Sequence, residues 1–97
     1  MGAGGVPNRA VVKIYGRSGD LPTEGAVPNS RYDLFVDDEH IQSRWFDGNG
    51  NVIRNRDFIH QDIHHNHFFP HDHNWEWVNG RLRRIKDPLP PDYLNYY

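Results

Sequence analysis

The chain has 97 residues, which suffices for one small domain and excludes a second domain with a core of its own. Hydrophobic residues make up 36% and aromatic residues 13%, so the composition predicts a folded centre rather than a disordered chain. The formal net charge of -2 excludes strong non-specific binding to nucleic acid through overall charge, and the absence of cysteine excludes disulfides and thiolate metal sites.

The two ends of the chain differ in composition from its centre. Residues 1–9 are rich in glycine, which predicts a flexible segment. They lack the basic and apolar parts of a signal peptide. No apolar run approaches the length that spans a bilayer, so we expect no membrane contact and a cytoplasmic or virion-associated location. Residues 10–86 predict a single small β domain, and residues 87–97 a tail rich in proline and tyrosine.

The predicted elements are strands. Residues 10–15 are apolar and β-branched and predict a strand, and residues 16–30 contain three glycines and two prolines and predict an irregular loop. Alternation of side chains over residues 31–36 predicts another strand. Residues 41–46 and 52–59 flank Asn49-Gly50, a pair that favours a hairpin turn because both residues tolerate positive φ. A two-residue turn there would place Trp45 opposite Arg54 and Asp47 opposite Val52.

The expected fold is mainly β, because no window shows a sustained apolar period of 3.6 and helix formers are sparse. We expect a small antiparallel meander of three or four strands with a long histidine-rich loop and little helix. An α+β fold is the alternative. Pro70 interrupts the segment after the hairpin, which predicts a loop or broken strand that crosses the sheet.

Six of the seven histidines lie between His60 and His73. Histidine titrates near neutral pH, acts as general acid or base, and binds transition metals, so this segment is where we expect the function. The pairs His65/His67 and His71/His73 are each at alternate positions, and the members of such a pair point the same way on an extended backbone. The nearby carboxylates, which could orient the rings or complete a coordination sphere, are Asp57, Asp62 and Asp72.

Three interpretations of this segment stay open. Two or three of the paired histidines, with Asp72, could surround zinc or another divalent ion. Two histidines could instead act as general base and general acid while arginines hold a phosphate, which is what RNA cleavage by 2′-hydroxyl attack requires without any cofactor. The histidines could also simply satisfy backbone groups in a long loop or form an interface. The candidate phosphate-binding residues are Arg44, Arg54 and Arg56.

Two features after the histidines have a structural and a functional interpretation. Trp75-Glu76-Trp77 has the alternation of a strand that packs its aromatic residues on a core, and a base-stacking platform is the alternative. The basic run after Asn79-Gly80 is a solvated hairpin arm or a phosphate-binding arm beside the histidines. This run contains Arg81, Arg83, Arg84 and Lys86.

Four segments carry short motifs: Val27-Pro28-Asn29-Ser30, the hairpin at residues 44–51, the strand at residues 54–60, and Phe69 to Trp75. Together they resemble the C-terminal domains of polymorphic toxins and phage minor-head proteins, which combine a Pro-Asn-Ser entry, a hairpin, an Arg-x-x-Asp strand and a Pro-His-x-His segment. The similarity spans residues 27–77 and departs at Gly48, where such a hairpin would carry an acidic residue. It implies a small effector domain, a nuclease and more specifically a ribonuclease.

The leading hypothesis from the sequence is a metal-independent ribonuclease acting on RNA. His67 and His71 would be the acid/base pair, with His73 or Asp57 as an orienting group. Arg54 and Arg56 would clamp the phosphate, with Arg44 as a further contact. The alternative is a non-catalytic phage or prophage accessory module that binds another protein, such as an immunity or phage structural protein. Its metal ligands would be His65, His67, His71 and His73.

Overall fold

The computed structural model describes residues 9–58 and 70–97. Within these ranges, six strands form one sheet whose spatial order follows the chain. The first strand pairs in parallel with the second, and all later neighbours are antiparallel. In these two ranges no helix is long and apolar enough to cross a membrane. The strands are β1 (Ala10–Tyr15), β2 (Ser30–Val36), β3 (Glu39–Phe46), β4 (Val52–Asp57), β5 (His71–Val78) and β6 (Arg81–Arg84).

The mainly β class is confirmed, but the sheet is larger than the three or four strands expected. The parallel pairing of β1 with β2 is possible because residues 16–29 return the chain to the same end of the sheet. Strand β5 begins directly after Pro70, so the proline lies outside the hydrogen-bonded ladder. Its missing N–H group therefore removes no hydrogen bond from the sheet. His71 and His73 therefore lie in a strand and not in the loop or broken strand that the sequence predicted.

The remaining predictions about the ends and the histidine segment fall partly outside the described residues. The expected flexibility of the N-terminus concerns residues 1–8, and the other histidines of the cluster lie within residues 59–69.

Among the described residues, three turns each connect two neighbouring antiparallel strands. Asp37-Asp38 and Asn79-Gly80 have positive φ at both positions, the conformation of tight two-residue hairpins. The turn between β3 and β4 is wider than predicted, because the Asp47 carboxylate accepts hydrogen bonds from the backbone N–H groups of Asn49 and Asn51. Phe46 consequently pairs with Val52, so the expected pairing of Asp47 with Val52 was wrong.

The predicted register holds along the rest of this hairpin. Trp45 lies opposite Arg54 and Ser43 lies opposite Arg56, as the sequence predicted. A register shift between Trp45 and Phe46 separates these pairs from the turn. Strand β4 therefore has a defined alternation, with Arg54 and Arg56 on one face and the residues between and after them on the other.

The two faces of the sheet have different chemistry. One, which we call the histidine face, carries Asn55, Asp57, His71, His73 and Trp75, which contact one another. On the same face a small apolar core forms around the turn end of the β3–β4 hairpin, and it gives the site a rigid base. The core contains Ala26, Phe46 and Val52, with Tyr32, Trp75 and Leu82 packed against it.

The opposite face, which we call the arginine face, carries the alternate residues of the same strands. Arg54, Arg56 and Asp72 are buried there and bonded to one another. Residues 87–97 pack across this face: Leu89 exchanges two backbone hydrogen bonds with Asp72, and Tyr96 lies against Trp45. The C-terminal segment thus covers the arginine face, on the side of the sheet away from the histidines.

Candidate metal centre

The site is assembled from the last residue of β4 and the first residues of β5. Asp57 lies opposite His71, and Asn55 lies opposite His73, in the antiparallel register of the two strands. Because residues at alternate positions share a face, His71, His73 and Asp57 come together on the histidine face. All three are buried, with His71 only 1% exposed.

The distances within this trio match the spacing of metal ligands. His71 Nε2 lies 3.4 Å and His73 Nε2 lies 3.8 Å from Asp57 Oδ2. One donor atom from each of the three residues lies within 4.8 Å of the others. Tetrahedral ligands at about 2.0–2.1 Å from zinc are separated by about 3.3 Å, so small side-chain movements would bring these donors to coordination distance. The group could hold a metal ion.

The Asp57 carboxylate is oriented by hydrogen bonds to one of its two oxygens. Oδ1 accepts from Gln42 Nε2 at 2.7 Å and from Asn55 Nδ2 at 3.0 Å. Trp75 Nε1 donates to Asn55 Oδ1 at 2.6 Å, which fixes the direction of that amide. These contacts leave Oδ2 directed at the two histidines. Outer-shell hydrogen bonds of this kind orient metal ligands in proteins.

His73 is held in one tautomer. Its Nδ1 lies 2.8 Å from the carbonyl oxygen of Ile85, and because a carbonyl can only accept, Nδ1 carries the hydrogen. Burial lowers the pKa of His73, and the bond to Ile85 only partly offsets that effect. A neutral His73 therefore directs an Nε2 lone pair toward the Asp57 oxygen. Two acceptors facing each other repel unless a cation or a proton lies between them.

Two arginines surround the trio with positive charge. Arg84 Nη1 lies 3.9 Å from Asp57 Oδ2, and the Arg84 side chain is 47% exposed. Arg44 is buried, donates to the carbonyl oxygens of Leu21 and Pro22, and lies 5.0 Å from the centroid of the Trp75 ring. Burial lowers the pKa of Arg44 to about 10, which still leaves it charged at neutral pH.

Arg54 and Arg56, the predicted phosphate clamp, do not lie beside the trio. Arg54 Nε donates to Asp72 at 2.8 Å, and Arg56 donates through Nε at 2.7 Å and Nη2 at 2.9 Å, all on the arginine face. The Arg56 guanidinium carbon also lies 4.9 Å from the centroid of the Trp45 ring and 4.5 Å from that of the Tyr93 ring. Burial alone would raise the pKa of Asp72, but the bonds from Arg56 and Arg54 outweigh it and hold the pKa below its ordinary value.

The structure thus divides the residues that the sequence singled out. It brings Asp57, His71 and His73 together, and it places Asp72 on the opposite face with Arg54 and Arg56. Arg44 lies on the histidine face, where its guanidinium is bonded to backbone carbonyls. His65 and His67 lie outside the described residues.

Sequence reasoning missed Gln42 and Ile85, and it named Arg84 only as one member of the basic run after Asn79-Gly80. Counting along the strands could have placed both Gln42 and Arg84 beside the trio. The hairpin register that pairs Trp45 with Arg54 also pairs Gln42 with Asp57. The tight turn at Asn79-Gly80 likewise places Arg84 opposite Trp75. The backbone carbonyl of Ile85 has no signal in the sequence, because any residue could supply it.

Comparisons with known proteins give no further guide to the site. No family model, no curated protein and no solved structure matches this chain.

Proposed function

We propose that this chain is a metal-binding domain that holds a divalent transition-metal ion, zinc foremost, through Asp57, His71 and His73. The observation that carries the proposal is the convergence of the His71 Nε2, His73 Nε2 and Asp57 Oδ2 atoms at near-ligand spacing in a buried site. Two imidazoles and one carboxylate suit zinc and other borderline divalent ions better than magnesium or calcium, which prefer oxygen ligands alone.

The surroundings of the trio support the same proposal. His73 Nδ1 donates to a carbonyl, and Asp57 Oδ1 accepts from two amides, so each of these residues presents one remaining donor atom to a common point. A bound zinc ion with an open position would act as a Lewis acid and lower the pKa of a water molecule. Gln42, Asn55 and the Ile85 carbonyl hold the ligand side chains in place. Arg84 supplies a neighbouring positive charge.

The test is metal binding by purified protein stripped with a chelator and then titrated with zinc in a calorimeter. We expect one tight ion per chain, and we expect D57N, H71A and H73A each to weaken that binding strongly. His40 is the matched control, because its ring is bonded to Ser43, which lies opposite Arg56 in the sheet, and contacts the rings of Phe35 and Phe58, so none of these contacts is with the trio. H40A should therefore keep the tight ion.

Circular dichroism of each variant separates loss of the ligand from loss of the fold. H73Q provides a second variant for this purpose, because it retains a polar side chain of similar length at the same position. Zinc that binds the folded D57N, H71A and H73A proteins as tightly as the wild type would contradict the proposal.

A second candidate function is the metal-independent ribonuclease. The observation that favours it is a histidine pair beside an arginine: His71 and His73 lie on the same carboxylate, and Arg84 reaches that carboxylate from the solvent side. In this scheme the histidines exchange protons with the 2′-hydroxyl and the leaving oxygen, and Arg84 replaces Arg54 and Arg56 as the phosphate contact.

RNA cleavage in the presence of a chelator distinguishes the two candidates. Cleavage that persists with chelator and disappears in H71A favours the ribonuclease. Intact RNA together with stoichiometric zinc favours the metal-binding domain. The partner expected from the resemblance, an immunity or phage structural protein, stays a prediction that co-purification with neighbouring gene products would test.

A further inference from the structure

The β5–β6 hairpin carries two side chains on the histidine face that the metal centre does not use. Trp77 follows His73 and Trp75 at alternate positions of β5, so it points to the same face. The register of β6 places Arg84 opposite Trp75 and Leu82 opposite Trp77. Trp77 and Arg84 therefore lie on the same face of the sheet as Asp57 and the two histidines.

Arg84 lies where it can contact a ligand at the metal centre. Its Nη1 atom is 3.9 Å from Asp57 Oδ2, while 47% of its side chain is open to solvent. Among the described residues, Asp57 is the one acidic group with which Arg84 pairs, and at that distance the pairing is weak. The planar guanidinium matches the oxygens of a phosphate and can donate two parallel hydrogen bonds to it.

Trp77 provides a flat apolar surface farther along the strand. It is 55% exposed, whereas Trp75 is half-buried, donates to Asn55 and lies against Arg44. Trp77 lies two positions after Trp75, the residue opposite Arg84, which is a span of about 7 Å along a strand. An exposed tryptophan this close to the expected phosphate contact, Arg84, is placed to stack on a base of the same short strand of nucleic acid.

The local charge also favours an anionic ligand, although the whole chain has a net charge of -2. Asp57 is the single carboxylate of the trio, and Arg84 and Arg44 both lie near enough to affect its electrostatics. A divalent ion at the centre would add to this excess of positive charge. Phosphate groups would be drawn to this face and not to the chain as a whole.

We propose that Arg84 and Trp77 form a subsite for single-stranded nucleic acid, in which Arg84 holds a phosphate beside the metal centre and Trp77 stacks on a base. The inference rests on the proposed metal centre for the position of the phosphate, and it names the class of ligand that the centre takes.

The experiment measures binding of fluorescent single-stranded oligonucleotides of about eight nucleotides by anisotropy. DNA and 2′-O-methyl RNA are the probes, because neither can be cleaved by 2′-hydroxyl attack, and each is tested with zinc and with chelator. We expect R84A and W77A each to weaken binding about tenfold. R84A should also reduce the salt dependence of the affinity, because one phosphate contact is lost.

Two control variants make the same changes elsewhere. Arg83 is adjacent to Arg84 but lies opposite Glu76 on the other face of the sheet, so R83A removes the same charge without touching the subsite. Tyr15 is an exposed aromatic residue in β1, and Y15A removes a ring far from the hairpin. Both variants should bind as the wild type does. W77F, which keeps a smaller ring, should retain intermediate affinity.

The outcomes separate this inference from the proposed function. Zinc-loaded protein that binds no oligonucleotide overturns the subsite and leaves the metal centre standing. Oligonucleotide binding that R84A weakens, in a protein that takes up no zinc, supports the subsite and overturns the metal centre. Binding lost in R83A and kept in R84A overturns the inference, because it places the nucleic acid at the cleft of about 570 Å³ at the hairpin tip, which is lined by Val78, Asn79, Arg81, Leu82 and Arg83.

Discussion

Replacement of Asp72 by asparagine tests the charge cluster that fixes the register of β4 against β5. The Asp72 side chain is fully buried and accepts three hydrogen bonds from Arg54 and Arg56 and a fourth from the backbone N–H of Asp92 at 3.1 Å. D72N removes the negative charge and leaves two guanidinium groups without their counter-charge. Breaking a buried pair in this way costs about 3–5 kcal/mol.

That cost is large for a domain of this size. Small domains have free energies of unfolding of about 5–15 kcal/mol, so D72N should lose about a fifth of the total or more. In urea denaturation, with a slope of about 1.5 kcal/mol/M, the midpoint should fall by about 2–3 M. D37N is the control, because Asp37 is exposed in a turn at φ 51°, a conformation that asparagine also tolerates. A D72N midpoint within about 0.5 M of the wild type would refute the reasoning.

The same cluster predicts a pH dependence. The pKa of Asp72 is lower in the folded protein than its ordinary value of 3.8, so the unfolded chain binds the proton more readily. The stability that Asp72 contributes is therefore present above about pH 4 and is lost as the pH falls through the folded pKa. Urea midpoints measured between pH 3 and pH 7 should fall more steeply toward acid for the wild type than for D72N.

Two further substitutions test the parts that position the site. Q42A removes a hydrogen bond to Asp57, and we expect it to weaken zinc binding about 10- to 100-fold in calorimetry while the apo protein stays folded; unchanged affinity would contradict the outer-shell role. G50A should cost about 1–3 kcal/mol in urea denaturation, because Gly50 has φ 77° and an added Cβ would collide with the carbonyl oxygen of Ala26. G48A is its control, since a Cβ there meets nothing closer than 3.7 Å, and equal stability of the two variants would refute the argument.

Much of the sheet could be predicted from short-range signals. Strand β1 and the pairing of Trp45 with Arg54 followed from β-branched runs and a hairpin signal, which act over a few residues. The parallel pairing of β1 with β2 could not be predicted in this way, because it depends on how residues 16–29 fold back. The wide turn at Asp47 depends on the Asp47 side chain, which accepts hydrogen bonds from two backbone N–H groups of the turn. The alternation of hydrophobic residues does not predict such side-chain bonds.

The site was only partly predictable for a similar reason. Alternation in an extended segment indicated that His71 and His73 share a face, and the structure brings Asp57 to them. The sequence also suggested that Arg54 and Arg56 would face the histidines, since all are close along the chain. In β4, Arg54 and Arg56 alternate with Asn55 and Asp57, so their side chains point to the other face of the sheet. There they bond to Asp72 and do not contact the histidines.

The central claim is that three side chains from two neighbouring strands bind one metal ion. The most direct measurement is a crystal structure of the zinc-loaded protein with anomalous diffraction at the zinc edge. We expect one peak about 2.0–2.2 Å from His71 Nε2, His73 Nε2 and Asp57 Oδ2. A peak held by other residues, or no peak in crystals grown with zinc, would contradict it.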